Sequence, residues 1–299
     1  MAGKLPVERA ILDAYRFAFP GFLSVLGTLW LPYLILVLIA LGLIRLIAPD
    51  VPQMLRTGAL DLGAGMELLR LVVLVVIVAF IAGAMVTVDL QRKAMHTKTG
   101  AGWVWFSLSG PVWRMAGASF LATIVVGVVT LVTVLICVAI WSAAGALAAA
   151  SLIRVIDVAA TIAVIIYIAL RLTFFLPAVV VTENSLGIER AWVLGGQNFW
   201  RILLVMIAIV VPVWIVFHLL SWALVGPQPG FYGLGAREGL RAMLRSGAMQ
   251  FGPRGWLMLA LEIIERILLV GSINGAIASA YLAVGRDSTA AASPAAVPK

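Results

Sequence analysis

Arg171 and Glu183 stand with Pro177 midway between them, in a stretch where little else carries charge. A guanidinium can clamp a carboxylate or a phosphate, a carboxylate can pair with that guanidinium, and a proline frees a backbone carbonyl between the two. Downstream, Glu189, Trp192, Gly196, Asn198 and Phe199 add an acid, two aromatic faces, a small residue and an amide. Such a set can hold an anion, but it contains no nucleophile. Over the whole chain the histidines are His96 and His218 and the cysteine is Cys137, with no H-E-x-x-H, no Gly-rich loop followed by Lys and no G-x-S-x-G. Metal-dependent hydrolysis needs clustered carboxylates and histidines. No catalytic residue, metal site or cofactor is expected, so the chain reads as not an enzyme.

The elements that must position these residues follow from where charges are missing. None occurs between Arg16 and Arg45, Leu71 and Val88, Met115 and Ile153, Ile202 and Ala236, or Ile267 and Gly285, and Val158 to Thr182 carries only Arg171. Crossing about 30 Å of hydrocarbon takes about 20 apolar residues in a helix, because lipid satisfies no backbone N–H or C=O. Six spans are predicted, at 22–44, 69–88, 116–141, 155–181, 202–224 and 265–284. Mean hydropathy is +1.12 and only 11% of residues are charged, which excludes a water-soluble globule. The expected fold is all-α: a polytopic membrane domain over 1–286, then a disordered tail over 287–299 rich in Ala, Pro and Ser. Met1 to Arg16 is too polar for a cleavable signal, so the first span is read as uncleaved.

With 21 Lys and Arg against 13 Asp and Glu, the excess charge beside lipid points to anionic headgroups rather than nucleic acid. Eleven basic residues fall on the side of the termini and eight on the other, which predicts both termini in the cytoplasm. Arg237, Arg241 and Arg245 recur every four residues opposite Leu240, Met243 and Leu244, the pattern of a helix lying on a membrane surface. Residues 5–19 form a second amphipathic helix, with Val7, Ala10, Ile11, Ala14 and Phe17 on one face, expected in the headgroup layer before the first span. A third precedes the fifth span, capped by Ser185 and ending near Gly195 and Gly196. Glu8-Arg9-Ala10 returns as Glu189-Arg190-Ala191, and Trp113-Arg114 as Trp200-Arg201. These matches suggest three repeated units, each an interfacial helix and a two-span hairpin.

The stretch from Arg171 to Arg201 resembles the signature of the bacterial glycerophosphoryl diester phosphodiesterase membrane-domain family and the related YciC-like inner-membrane proteins. The matching positions are Arg171, Pro177, Glu183, Ala191, Trp192, Gly196, Asn198 and Phe199; the departure is Ala191 to Leu194, where the family usually has a Ser-Trp pair with another Leu. The resemblance implies a membrane module of the bacterial inner membrane, without the phosphodiesterase domain.

A charge such as Arg171 inside a span costs on the order of 2.5–3.5 kcal/mol if left unpaired. It either pairs with Glu183 or Asp157 to hold the bundle together, or contacts an anionic headgroup or substrate. Arg154 and Asp157 have the spacing of an intrahelical pair, and so do Glu262 and Arg266, near Glu265. Gly271, Gly275 and Ser279 make a small-residue face on the sixth span, expected to pack internally. His218 is expected as a hydrogen-bonded core residue. Trp200 and Trp222, about 33 Å apart along a helix, are expected to mark the two interfaces. The functional expectation is a non-catalytic protein organising membrane lipids, anionic ones above all, or a membrane-protein partner. The alternative is a transporter or lipid-translocating protein using Arg171.

Overall fold

The computed structural model describes residues 4–47, 62–95, 109–144, 150–225 and 253–292. Among them are eight helices and no strand: α1 (Val7–Ala18), α2 (Phe22–Ile47), α3 (Leu62–Ala94), α4 (Gly110–Ala144), α5 (Ala150–Thr173), α6 (Leu176–Glu183), α7 (Ile188–Val225) and α8 (Pro253–Ala292). The described residues are all-helical, with six stretches of helix long and apolar enough to cross a membrane: α2, α3, α4, the α5–α6 pair, α7 and α8. Most run past the expected ends, since the apolar window marks the hydrocarbon and not where backbone hydrogen bonding stops. The tail expected to be disordered from Asp287 begins in helix, because α8 continues to Ala292. Residues 293–299 lie outside the described residues, as do Arg237, Arg241 and Arg245 with their surface helix.

Alanines four apart decide where α1 lies. Ala10, Ala14 and Ala18 are buried along one face, while Glu8, Arg9 and Arg16 remain exposed. The small side chains let α1 approach α8, which offers glycines in return. A Cβ added to Gly275 would come within 2.9 Å of Phe17 Cβ and 3.2 Å of Ala14 Cα. Ser279, next on that face, donates to Asp13 Oδ2 at 2.6 Å. The small-residue face of the sixth span is therefore filled from within the chain, as its spacing suggested. Through these contacts α1 is built into the bundle.

Sequential spans pack as hairpins, α2 on α3, α4 on α5 and α7 on α8. Their leading segments differ: α1 is separate, the segment before α7 is continuous with it, and the one before α4 lies mostly outside the described residues. The span windows differ sharply in burial, from 61% for α8 to 6% for α4. So α8 is the central helix and α4 faces outward. Buried side chains concentrate at the end of the bundle that carries α1: Val25 and Leu29, Val86 to Leu90, Val112 to Ala122, Phe174 to Val180, Ala191 to Ile209 and Ile267 to Val284. At the other end Val72, Ile77, Leu135, Ile156, Ile215 and Leu257 are exposed. Hydrocarbon tails are as apolar as Leu, so such exposure carries no hydrophobic penalty in lipid.

Candidate functional site

The fourth span is interrupted where its proline sits. α5 ends at Thr173 and α6 begins at Leu176, with Pro177 in the first turn of the new helix, where its missing N–H is harmless. Phe174 and Phe175 fill the gap, their buried rings edge to face at 5.0 Å. The chain bends there over two residues while Phe174 N–H still donates to the Leu170 carbonyl at 3.1 Å. One consequence reaches Arg171: it falls in the last turn of α5, where unpaired carbonyls favour a cation.

The guanidinium of Arg171 is held by aromatic and backbone groups. Its Nε donates to the Trp192 carbonyl at 3.2 Å and its Nη1 to the Tyr167 hydroxyl at 2.6 Å. The charge lies 3.9 Å from the Trp192 ring centre and 5.7 Å from that of Tyr167, within cation–π range. Phe199 packs edge to face on Tyr167 at 4.8 Å and on Trp200 at 5.2 Å. Trp200 is 77% exposed, so this cluster opens sideways from the bundle. Gly195 and Gly196 do not end a helix there. They let α7 cross α5: a Cβ on Gly195 would run into the Arg171 carbonyl, and one on Gly196 would lie 2.7 Å from Arg171 Cζ.

Neither carboxylate expected to neutralise Arg171 does so, and no carboxylate pairs with it among the described residues. Asp157 is fourteen residues upstream on the same helix, about 21 Å away. Glu183 lies beyond the break, where Tyr281 donates to its Oε1 at 3.1 Å and Arg190 Nε stands 3.6 Å off. That cluster, with Thr182 donating to the Tyr281 hydroxyl at 2.9 Å, ties α6, α7 and α8 together. Arg114 of α4 donates to the Asn184 carbonyl and side chain, closing the C-terminus of α6 with a cation. Glu189 is exposed in the first turn of α7, where a carboxylate suits the helix dipole. Gly187, at φ +62° against Val179, precedes that turn, so Ser185 stands too far back to cap it.

Asn198 faces away from Arg171. It sits at a kink in α7, at φ −121° and ψ 15°, and its buried Oδ1 accepts the Leu5 N–H at 3.0 Å. Arg201 Nη1 donates to the Leu5 carbonyl at 3.2 Å, and the Tyr15 hydroxyl donates to the Ala208 carbonyl at 2.8 Å. The chain's beginning is strapped to the fifth span by these bonds. Burial raises the Tyr15 hydroxyl above its ordinary value of 10.0. Of the sequence-selected residues, Arg171, Trp192, Gly196 and Phe199 come together; Asn198 holds the N-terminal segment, and Pro177, Glu183 and Glu189 frame the α5–α7 connection.

Sequence reasoning missed a buried polar network on the other side of α8. Asp89 is fully buried, Lys93 Nζ lies 3.2 Å from its Oδ2, and Thr28 Oγ1 donates to the same oxygen at 3.2 Å. Lys93 also donates to Thr28 Oγ1 at 2.6 Å. Gln91 Nε2 bridges to the carbonyl and Oδ1 of Asn274 at 3.2 and 3.0 Å. The signal was the i, i+4 spacing of Asp89 and Lys93 directly after an apolar run, which reads as a solvated membrane exit. Instead, α2 and α8 cover it.

Three smaller expectations resolve differently. Glu262 and Arg266 do pair, at 3.4 Å. His218 is exposed rather than in the core, stacked on Trp214 at 5.1 Å. Arg154 and Asp157 form no ion pair with each other. Among the described residues no group of three or more His, Cys, Asp or Glu is placed to hold a metal. In comparisons with known proteins, no family model, curated protein or solved structure matches this chain.

Proposed function

We propose that this protein is a non-catalytic integral membrane protein that organises anionic lipids, with Arg171 as the headgroup contact. The observation that carries the reading is a half-buried guanidinium, stacked on Trp192 and hydrogen-bonded to Tyr167, with no carboxylate partner among the described residues. A cation at membrane depth calls for an anion, and a phosphate beside an interfacial tryptophan supplies one. Flanking aromatics give the acyl chains a surface. The resemblance of Arg171 to Phe199 to the phosphodiesterase membrane-domain signature is compatible with a lipid-facing role in a bacterial inner membrane, both termini cytoplasmic. Translocation is supported less, since the guanidinium is packed against Gly196 and a tryptophan ring rather than beside a polar path.

The test is the lipid that accompanies the protein out of the membrane in mild detergent. Enrichment of anionic phospholipid over its share in the bulk membrane is expected. A bound-lipid composition that mirrors the bulk would overturn the proposal.

A further inference from the structure

Beside Arg171, the Tyr167 hydroxyl holds a proton that meets no acceptor. Its oxygen accepts from Arg171 Nη1 at 2.6 Å, in a bond that lies on the exposed side of the bundle. A phenol still has its own O–H to give after accepting, and among the described residues nothing takes it. Tyr167 is 36% exposed. A donor turned outward with nothing to bind costs free energy wherever water is scarce.

The guanidinium is itself only partly used. Nε donates to the Trp192 carbonyl and one proton of Nη1 to Tyr167, which leaves the other Nη1 proton and both protons of Nη2 without an acceptor among the described residues. Nη2 is not one of the side-chain atoms sealed in the bundle without a partner, so it is reachable from outside. A Cβ on Gly196 would lie 2.5 Å from it. The absent side chain at 196 is what leaves that nitrogen uncovered. A charged N–H and a neutral O–H therefore open next to each other, in the last two turns of α5. Adjacent donors without acceptors suit an anion that offers two oxygens.

We propose that Tyr167 is the second headgroup contact of this site, an inference that rests on Arg171 being the first. The guanidinium takes one non-bridging oxygen of a phospholipid's phosphodiester, and the Tyr167 O–H takes the other. Arg171 supplies charge and Tyr167 supplies direction, since a guanidinium attracts any anion while a single phenol proton fixes where the second oxygen lies. Phe199, edge to face on the Tyr167 ring at 4.8 Å, holds the phenol in place.

The experiment titrates the full chain in mild detergent with phosphatidylglycerol and counts bound lipid by native mass spectrometry. Tyr167→Phe keeps the ring and its contact with Phe199, and should bind about fivefold more weakly, as befits one lost hydrogen bond. Tyr167→p-aminophenylalanine keeps a donor but is a poor acceptor, so it should recover most of the binding. A tyrosine that only props Arg171 as an acceptor would fail in both variants. Glycerophosphoglycerol, the same diester without acyl chains, should not displace the lipid at equal concentration; displacement would overturn the assignment to a lipid. Undiminished binding in Tyr167→Phe, or an amine variant no better than Tyr167→Phe, would overturn the role of Tyr167 while Arg171→Gln, binding weakly, keeps the first contact in place. Undiminished binding in Arg171→Gln would remove the reading on which the proposal rests.

Discussion

Arg171 and Trp192 hold each other twice, through the ring at 3.9 Å from the guanidinium carbon and through the Trp192 carbonyl at 3.2 Å from Nε. The two contacts use different parts of the guanidinium, its π face and an in-plane donor, so a compact ammonium cannot reproduce both. Replacing Arg171 with Lys should therefore weaken the site although charge is kept. Thermal unfolding in detergent should register a loss of about 1 kcal/mol for the lost stacking.

The two glycines beside Arg171 should answer differently to the same substitution. A methyl on Gly195 meets the Arg171 backbone, which cannot move without displacing α5. Gly195→Ala should destabilise by about 1–3 kcal/mol, as overpacking does. On Gly196 the methyl meets only the guanidinium, the movable end of a long side chain. Gly196→Ala should cost no more than about the 1 kcal/mol of the stacking it displaces, while reducing bound anionic lipid. Equal loss of stability in the two variants would contradict the geometry.

Buried Asp89 and Lys93 set up a cycle. Asp89→Asn strands the Lys93 ammonium, 9% exposed, and should cost about 3–5 kcal/mol. Adding Lys93→Met removes the stranded charge and should restore much of the loss. Additive losses in the double variant would mean that the two residues are not coupled.

Tyr15 gives a pH dependence with a definite sign. Burial favours its neutral form, so the folded value lies above the ordinary 10.0. The stability it contributes is fully present below pH 10 and is lost as pH rises through the folded value. Unfolding measured between pH 8 and 11 should show stability falling at the alkaline end, and Tyr15→Phe should flatten that fall while costing about 1 kcal/mol at neutral pH.

Sidedness can be checked at exposed positions. In a Cys137→Ser background, single cysteines at Lys4 and Asn184 should be shielded from an impermeant thiol reagent applied to intact cells, and one at Ser151 should react. Labelling at Asn184 from outside would invert the bundle.

The six spans were legible because lipid enforces them: twenty apolar residues without charge leave few alternatives. The Gly271, Gly275, Ser279 face was legible for a related reason, since small residues at helical spacing mark close approach. What the sequence concealed was partnership. Arg171 was expected either to pair with a carboxylate or to meet an anionic headgroup; Pro177 opened a break that carried Glu183 to Tyr281 and Arg190, while Gly195 and Gly196 brought Trp192 to Arg171. A charge count sees Asp89 and Lys93 at a membrane exit but not the helices that cover them. Residues far apart in the chain, such as Leu5 and Asn198, share no local pattern that would reveal their bond.

Arg171 acts as a lipid contact and not as half of an internal ion pair. Native mass spectrometry of the full chain with a phosphatidylglycerol titration, comparing the unaltered protein, Arg171→Gln and Arg171→Gln/Glu183→Gln, tests this most directly. Binding about tenfold weaker is expected in both variants, with the second substitution restoring neither binding nor stability. Undiminished phosphatidylglycerol binding in Arg171→Gln, or stability recovered when Glu183 is also neutralised, would contradict it.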